Sequence, residues 1–190
     1  MKRPALIFRD LIQLIETYNI AGMINEDDVV DILKKSKLIG VDVWITGGWG
    51  VDALLGQQSR PHNDIDIFVQ KKDTAVFTEM LRSNDYFETD TEEIDTMVWR
   101  DTYDRIIDLH LFEFKEEGTL RFQNKIYPDI FNGKGTIGGI TVRCMPAEAQ
   151  LQYHQDYEIR EKDIHDVLLL CKAFELPIPE EYEKYLKMNN

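Results

Sequence analysis

The chain begins with two stretches in which apolar residues recur every three or four positions. Residues 5–18 and 26–37 therefore predict two amphipathic helices. Between them, Gly22 predicts a break and Asn25 a helix cap. The sequence thus opens with a helical lead-in.

A short apolar run followed by paired glycines begins the central part. Residues 41–46, VDVWIT, predict a short buried strand. Gly47 and Gly48 turn the chain into a helix predicted over about 49–56. The loop after it contains Pro61, which disfavours helix on either side.

Strict alternation of apolar and polar residues predicts the next strand. In DIDIFV, residues 64–69, Ile65 and Ile67 fall on one face, and the other face carries Asp64, Asp66 and Phe68. A helix is predicted over about 72–83.

Further strands are predicted after this helix. DTMVWRD and DRIIDLHLFEF read as antiparallel neighbours joined by a turn near 101–104. GTIGGITVRCM predicts a hairpin that turns at Gly138 and Gly139.

The last third of the chain is predicted to be helical. PAEAQLQYHQDY begins with Pro146, which suits a first helical turn. EKDIHDVLLLCKAF predicts a helix ended by Pro177 and Pro179, with an apolar stripe of Ile164, Val167, Leu168, Cys171 and Phe174. The expected fold is α+β, a mixed β-sheet flanked by helices, divided into an N-terminal extension (1–40), a core (41–145) and C-terminal helices (146–190).

Composition narrows the class of protein. The net charge is −13, from 35 acidic and 22 basic residues, which disfavours nucleic acid as a partner. Such a charge attracts a small cationic substrate, or serves solubility alone. No apolar run reaches the length that spans a membrane, and two cysteines are too few for a disulfide framework. We therefore expect a cytoplasmic protein.

The chemistry centres on Asp64 and Asp66, which are two residues apart on one strand. Both carboxylates project from one face, where they repel each other unless a cation such as Mg²⁺ lies between them. This spacing alone does not identify a metal site, so the interpretation depends on the surrounding residues. Phosphate binding is favoured by the glycines directly before a helix and by Arg60 and His62. Asp108 supplies a third carboxylate. Together these groups are what nucleotidyl transfer requires.

Five motifs in this order resemble the nucleotidyltransferase superfamily: GGWGVD, RPHNDIDI, IIDLH, PAEAQLQYH and KDIHDV. Within it, the chain resembles the lincosamide nucleotidyltransferases and the aminoglycoside 2''-adenylyltransferase group. The match runs from about residue 41 to 174 and leaves the first forty residues outside. Many superfamily members have a serine after the first glycine, whereas Gly48 stands here, as in the antibiotic-modifying branch.

The resemblance implies a minimal nucleotidyltransferase fold and assigns roles to residues. Asp64 and Asp66 become Mg²⁺ ligands, and Asp108 a general base that also touches a second metal ion. The cofactors implied are one or two Mg²⁺ ions, with ATP or another NTP as co-substrate. The nucleotide-binding residues implied are Gly47, Gly48, Trp49, Arg60, His62 and Lys162.

Several of these residues have an alternative structural interpretation. Trp49 fits packing beneath the helix better than stacking on a nucleotide, because tryptophan is usually buried. Lys162 and Asp166 have the spacing of a surface ion pair. His110 shares a strand face with Asp108 and either lines the pocket or is an ordinary half-exposed histidine. The candidate acceptor-binding residues are Trp99, Tyr103, His110, Phe112 and Tyr153.

The function expected is transfer of a nucleoside monophosphate, AMP from Mg·ATP, to a hydroxyl of a small molecule, with release of pyrophosphate. A lincosamide or aminoglycoside antibiotic is the expected acceptor. Two alternatives stay open: a nucleotidyltransferase with a non-drug role, antitoxin-like or protein-modifying, and a nucleotide-binding module without catalysis. A homodimer is also left open.

Overall fold

A mixed sheet of nine strands forms the centre of the protein, in a computed structural model that describes residues 22–154 and 158–186. The strands are β1 (Val43–Thr46), β2 (Asp64–Gln70), β3 (Phe87–Thr89), β4 (Thr96–Arg100), β5 (Ile106–Phe114), β6 (Thr119–Phe122), β7 (Lys125–Pro128), β8 (Gly133–Ile137) and β9 (Ile140–Cys144). They lie in the order β3-β4-β5-β2-β1-β9-β8, and β6 pairs with β5 and β7. The predicted α+β class with a mixed sheet is confirmed.

The helices of the described residues cover the sheet and extend beyond it. They are α1 (Glu26–Leu38), α2 (Gly47–Leu55), α3 (Thr74–Arg82), α4 (Ala147–Tyr153), α5 (Glu161–Phe174) and α6 (Glu180–Leu186). The predicted cap of α1 is confirmed, because the Asn25 side chain accepts a bond from Asp28 N at 3.1 Å. The predicted helix over 5–18 lies outside the described residues. None of the described helices is long and apolar enough to cross a membrane.

Two parallel contacts set the geometry of the sheet. β2 pairs in parallel with β5 and antiparallel with β1, and β1 pairs in parallel with β9. The predicted antiparallel neighbours are β4 and β5, and the predicted hairpin is β8 and β9 with its turn at Gly138 and Gly139. Both predictions are confirmed.

The two faces of the sheet bury different side chains. One face packs Ile45, Ile65 and Ile67 against helices α1 and α3. The other buries an aromatic cluster that includes Trp44, Phe68, Phe112, Phe122 and Phe131. Because side chains alternate along a strand, the residues that share a face with Phe68 include Asp64 and Asp66. The carboxylates therefore lie on the aromatic face.

The prediction for the buried stripe of α5 is partly wrong. Val167 and Cys171 are buried as predicted, but Phe174 is 40% exposed. Asp163 and Asp166 are buried instead, at 2% and 1% exposure. The helix is turned so that these carboxylates meet arginine partners, an arrangement that apolar periodicity does not reveal. Strands β3, β6 and β7 were also not predicted.

Helix α2 lies so close to strand β8 that only a glycine fits at the contact. A Cβ added at Gly135 would lie 2.3 Å from the carbonyl oxygen of Ala53. We predict that Gly135→Ala lowers the free energy of unfolding by about 1–3 kcal/mol, because backbone must move to admit the methyl group. Urea denaturation measures the change. Lys134→Ala, at an exposed position of the same strand, is the control, with a change within about 0.5 kcal/mol. Equal stability of the two variants would contradict this packing.

Candidate active site

The pairing of three strands places the predicted catalytic carboxylates side by side. Thr46 on β1 is in register with Asp66 on β2, and Asp66 is in register with Asp108 on β5. Directly opposed residues share a sheet face, so these three side chains form one row across the sheet. Asp64 lies two residues before Asp66 on β2 and therefore on the same face. All four residues line a cleft of about 420 Å³.

The carboxylates perturb one another electrostatically. Burial, followed by the negative charges of Asp66 and Asp64, raises the pKa of Asp108 to about 6. Burial also raises the pKa of Asp66, but the hydrogen bond and charge of His110 and the charge of Lys162 outweigh it, so the net shift is downward. His110 Nε2 lies 3.3 Å from Asp66 Oδ1, and Lys162 Nζ lies 3.9 Å from Asp64 Oδ2. The cleft is therefore a place where added positive charge is favourable.

These residues fit a divalent metal ion that shares its ligands with a substrate. Three carboxylates on one face supply hard oxygen ligands, and their mutual repulsion is relieved by a cation. In the part of the chain that the structure describes, no three side chains already converge on one point as a finished metal site. Mg²⁺ suits this arrangement, since it is commonly held by one or two carboxylates, waters and substrate phosphates.

The paired glycines leave room beside the carboxylates. Gly47 has a φ of +60°, and a Cβ on it would lie 2.0 Å from Asp66 Oδ2. A Cβ on Gly48 would lie 2.4 Å from an Arg60 guanidinium nitrogen. Helix α2 begins at Gly47, and no side chain caps its first turn. Its N-terminal amides therefore face the cleft without a side-chain acceptor, as a phosphate site requires.

Arg60 is held in the cleft by a carboxylate of the C-terminal helices. Its Nε and a terminal nitrogen bond to the two oxygens of Asp166 at 2.8 and 2.7 Å. Asp166 is the residue predicted to pair with Lys162 on the surface, and that prediction is wrong. Lys162 instead lines the cleft near Asp64. The forked bond orients the guanidinium and joins the loop before β2 to helix α5.

Two predicted nucleotide contacts are buried behind the cleft rather than lining it. His62 is 1% exposed, and its Nε2 lies 2.6 Å from Asp52 Oδ2. Trp49 is also 1% exposed, with its ring centre 4.7 Å from that of His62. Trp49 therefore packs beneath the helix, which corrects its assignment as a nucleotide contact. His62 supports the glycine turn from below, because a Cβ on Gly48 would meet its ring at 2.5 Å.

The candidate acceptor residues divide into two groups. His110 and Tyr153 line the cleft as predicted. Trp99 is fully buried under Arg82, and Phe112 is fully buried in the aromatic cluster. Tyr103 is 69% exposed in the turn between β4 and β5, outside the cleft. These three side chains therefore do not line the cleft: Trp99 packs in the core on the other face of the sheet, Phe112 is covered by the aromatic cluster, and Tyr103 lies in a turn.

Sequence reasoning missed several residues that line the cleft. They are Thr46, Phe68, Phe122, Gln123, Gln150, Arg160, Asp163 and Asp166. Phe122 and Gln123 come from the hairpin β6–β7, which had not been predicted. Phe68 could have been found, because it continues the face of Asp64 and Asp66 along β2.

Comparison with solved structures identifies the fold. The lincosamide antibiotic adenylyltransferase LnuA, solved with lincomycin bound, matches with a TM-score of 0.71 and 25% identity over 78% of this chain and 97% of that one. ANT(2")-Ia, solved with adenylyl-2"-tobramycin, matches with a TM-score of 0.64 and 23% identity over 78% and 88%. Both matching structures are antibiotic nucleotidyltransferases, and the protein described here has their fold, as predicted.

The sequence comparisons assign the family. A model of the aminoglycoside-2''-adenylyltransferase family matches residues 28–170, so the chain belongs to this family. A lincosamide resistance protein of Staphylococcus haemolyticus is 26% identical over 150 residues, which cover 76% of this chain and 92% of that protein. The predicted resemblance to antibiotic nucleotidyltransferases is therefore confirmed.

The raised pKa of Asp108 predicts a stability effect in metal-free protein. From its ordinary value of 3.8, the pKa rises to about 6, so the folded state holds this proton more tightly than the unfolded state. Ionisation of Asp108 therefore destabilises the fold as pH rises through this range. Asp108→Asn should raise the free energy of unfolding by about 1–3 kcal/mol at pH 8, with a gain that vanishes near pH 4.

Urea denaturation in a chelating buffer at several pH values measures this gain. Glu92→Gln, in an exposed loop, is the matched control and should bring no comparable gain at pH 8. A gain at position 108 that did not depend on pH would contradict the electrostatic explanation.

Proposed function

We propose that this protein transfers AMP from Mg·ATP to a hydroxyl of a small antibiotic and releases pyrophosphate. The observation that carries the proposal is the row of Asp66 and Asp108, with Asp64 beside it, next to the uncapped start of helix α2. The residues proposed as metal ligands, base and phosphate site thereby lie within one cleft. The family relationship supports the same reaction class.

Asp64 and Asp66 are the proposed Mg²⁺ ligands. They share a strand face, and the alternation of β2 keeps both carboxylates directed into the cleft. When bound, the metal stabilises the negative charge that develops on the phosphate oxygens. Gly47, by having no side chain, keeps the Asp66 carboxylate accessible from the helix side.

Asp108 is the proposed general base. It accepts the proton of the attacking hydroxyl while the acceptor oxygen bonds to the α-phosphorus and the bond to the pyrophosphate oxygen breaks. Its pKa of about 6 lies closer to neutrality than that of an ordinary aspartate, which favours proton acceptance near pH 7. Binding of a cation beside it favours the ionised form that this role needs.

The triphosphate is proposed to lie at the Asp64 end of the cleft. Arg60 and Lys162 line this end, and the Gly47–Gly48 turn presents backbone amides beside it. Asp166 keeps Arg60 in position through its forked bond. Because Arg60 is already held in position, nucleotide binding does not lose free energy by ordering this long side chain.

The acceptor is proposed to lie at the opposite end, past Asp66 along β2. There the side chains are aromatic: the rings of Phe68 and Phe122 are 5.0 Å apart, and Phe68 lies 4.9 Å from His110. Two further carboxylates that line the cleft, Asp163 and Asp166, are buried and bond to arginines. A surface with apolar rings and few available carboxylates suits a lincosamide, which carries one amine, better than a polycationic aminoglycoside.

The first test removes single carboxylates. Asp64→Asn and Asp66→Asn should abolish transfer with little loss of folding, because each removes a proposed metal ligand. Asp108→Asn should lower turnover by roughly 10²–10⁴-fold while Mg·ATP binding persists, as expected for a lost general base. Pyrophosphate release measures turnover, and Asp90→Asn, at an exposed loop position, is the control. Near wild-type turnover by either Asp64→Asn or Asp66→Asn at saturating Mg²⁺ would contradict the metal assignment.

The second test is a panel of acceptors and nucleotides. We expect lincosamides to be adenylylated, with a KM that changes little between low and physiological salt, because aromatic contacts are not screened. Product mass identifies the transferred group, and the four NTPs report base preference. Reaction of aminoglycosides alone, with KM rising steeply with salt, would overturn the lincosamide preference. A panel in which neither class reacted would favour the non-drug alternative.

A further inference from the structure

Thr46 occupies a position in the site that none of the assigned roles uses. It ends strand β1, is in register with Asp66, and lines the cleft. It is also the residue directly before helix α2, whose first turn no side chain caps. The Thr46 hydroxyl thus lies between a proposed metal ligand and the exposed helix amides, yet caps neither.

The hydroxyl of Thr46 is instead turned towards Gln150 of helix α4. Its Oγ1 lies 3.3 Å from Gln150 Oε1 and 3.3 Å from Met145 Sδ. An amide oxygen and a thioether sulfur can only accept, so in this state the hydroxyl donates its hydrogen to Gln150 or to Met145. The hydrogen is therefore engaged within the protein and is not available to a ligand.

Gln150 has a buried amide nitrogen with no hydrogen-bond partner. The residue is 0% exposed although it lines the cleft, and its Nε2 is unpaired. The nitrogen lies against helix α2, where a Cβ on Gly50 would be only 2.0 Å from it. Buried NH groups are nearly always paired, so the unpaired nitrogen, with Thr46 Oγ1 beside the same amide group, points to a second orientation of this amide.

We propose that Thr46 and Gln150 form a phosphate-binding pair at the start of helix α2. When a nucleotide enters, the Gln150 amide turns over so that Nε2 donates to Thr46 Oγ1. The hydroxyl hydrogen is then free to donate to a phosphate oxygen beside the Gly47–Gly48 turn. This change gives the unpaired nitrogen a partner and adds a donor to the helix amides.

The chemistry of the position favours an anion over an acceptor hydroxyl. Donors converge there from the helix amides, Arg60 and the released Thr46 hydroxyl. The strong acceptors in the same row are Asp66, which is assigned to the metal, and Asp108, which is assigned as the base. The inference rests on the proposed function, because it requires a nucleotide phosphate in this cleft.

The experiment measures nucleotide binding separately from acceptor binding. Titration calorimetry with Mg²⁺ and an ATP analogue carrying a methylene bridge between the α- and β-phosphorus gives a Kd without turnover. Thr46→Val keeps the shape of the side chain and removes the hydroxyl, and Gln150→Met removes the amide. Each should raise this Kd about 10-fold or more, as expected for loss of a hydrogen bond to a charged group. The Kd of the acceptor should stay within about 2-fold of the wild-type value, since the pair contacts phosphate alone.

Matched variants separate binding from structure. Thr46→Ser restores the hydroxyl and should bring the Kd back to within about 3-fold of wild type. The double variant should bind the analogue with a Kd no higher than that of the weaker-binding single variant, because the two residues act as one donor unit. Thr78→Val, at a buried threonine of α3, and Gln152→Met, on the exposed side of α4, should leave the analogue Kd unchanged.

Wild-type affinity of Thr46→Val for the analogue would overturn the pair while leaving the proposed function intact. Independent, additive losses in the double variant, or equal losses of analogue and acceptor affinity in step with a lower Tm, would also overturn it. If the wild-type protein bound neither the analogue nor pyrophosphate, the proposed function itself would fail, and this inference with it.

Discussion

Electrostatic repulsion among three carboxylates on one sheet face is the constraint on which the rest of the site depends. The parallel pairing of β2 with β5 forces Asp66 and Asp108 side by side, and Asp64 follows on the same face. Burial first, and then the charges of Asp66 and Asp64, raise the pKa of Asp108, so keeping this carboxylate ionised in the cleft has a cost. A cation bound among the carboxylates would offset this cost, which is the role that we propose for Mg²⁺ in this cleft.

The remainder of the cleft is organised around that negative charge. His110 of strand β5 and Lys162 of helix α5 both lower the pKa of Asp66. Arg60 would be drawn to the same carboxylates, but Asp166 of helix α5 holds it by a forked bond. The buried carboxylates of α5 therefore do more than solvate a helix. Asp166 fixes the position of the Arg60 guanidinium beside the proposed phosphate site.

Helix α2 and the aromatic face give the cleft its two ends. The turn at Gly47 and Gly48 brings the start of α2 against Asp66, because any side chain there would collide with the carboxylate or with Arg60. On the other side, the alternation of β2 places Phe68 after the aspartates, where it packs with Phe122. One strand thus carries both a charged and an aromatic end of the same site.

Local patterns in the sequence were sufficient for the central strands. Period-two alternation predicted the face shared by Asp64 and Asp66, and the paired glycines predicted the start of α2. Both depend on residues within a few positions, and strand and helix geometry then determine where side chains project. The nucleotidyltransferase class followed from the order of such motifs along the chain.

Tertiary packing decided which neighbouring residues enter the cleft. His62 and Trp49 stand beside cleft residues in sequence yet are buried, because α2 directs Trp49 inward, where its ring packs against that of His62. Asp166 faces inward because Arg60, more than a hundred positions earlier, provides its partner. Gln150 likewise meets Thr46 only after α4 docks on the sheet. The local sequence determines in which direction a side chain projects from its own helix or strand. Which residue the side chain then meets depends on how distant elements pack, and only the folded structure shows that packing.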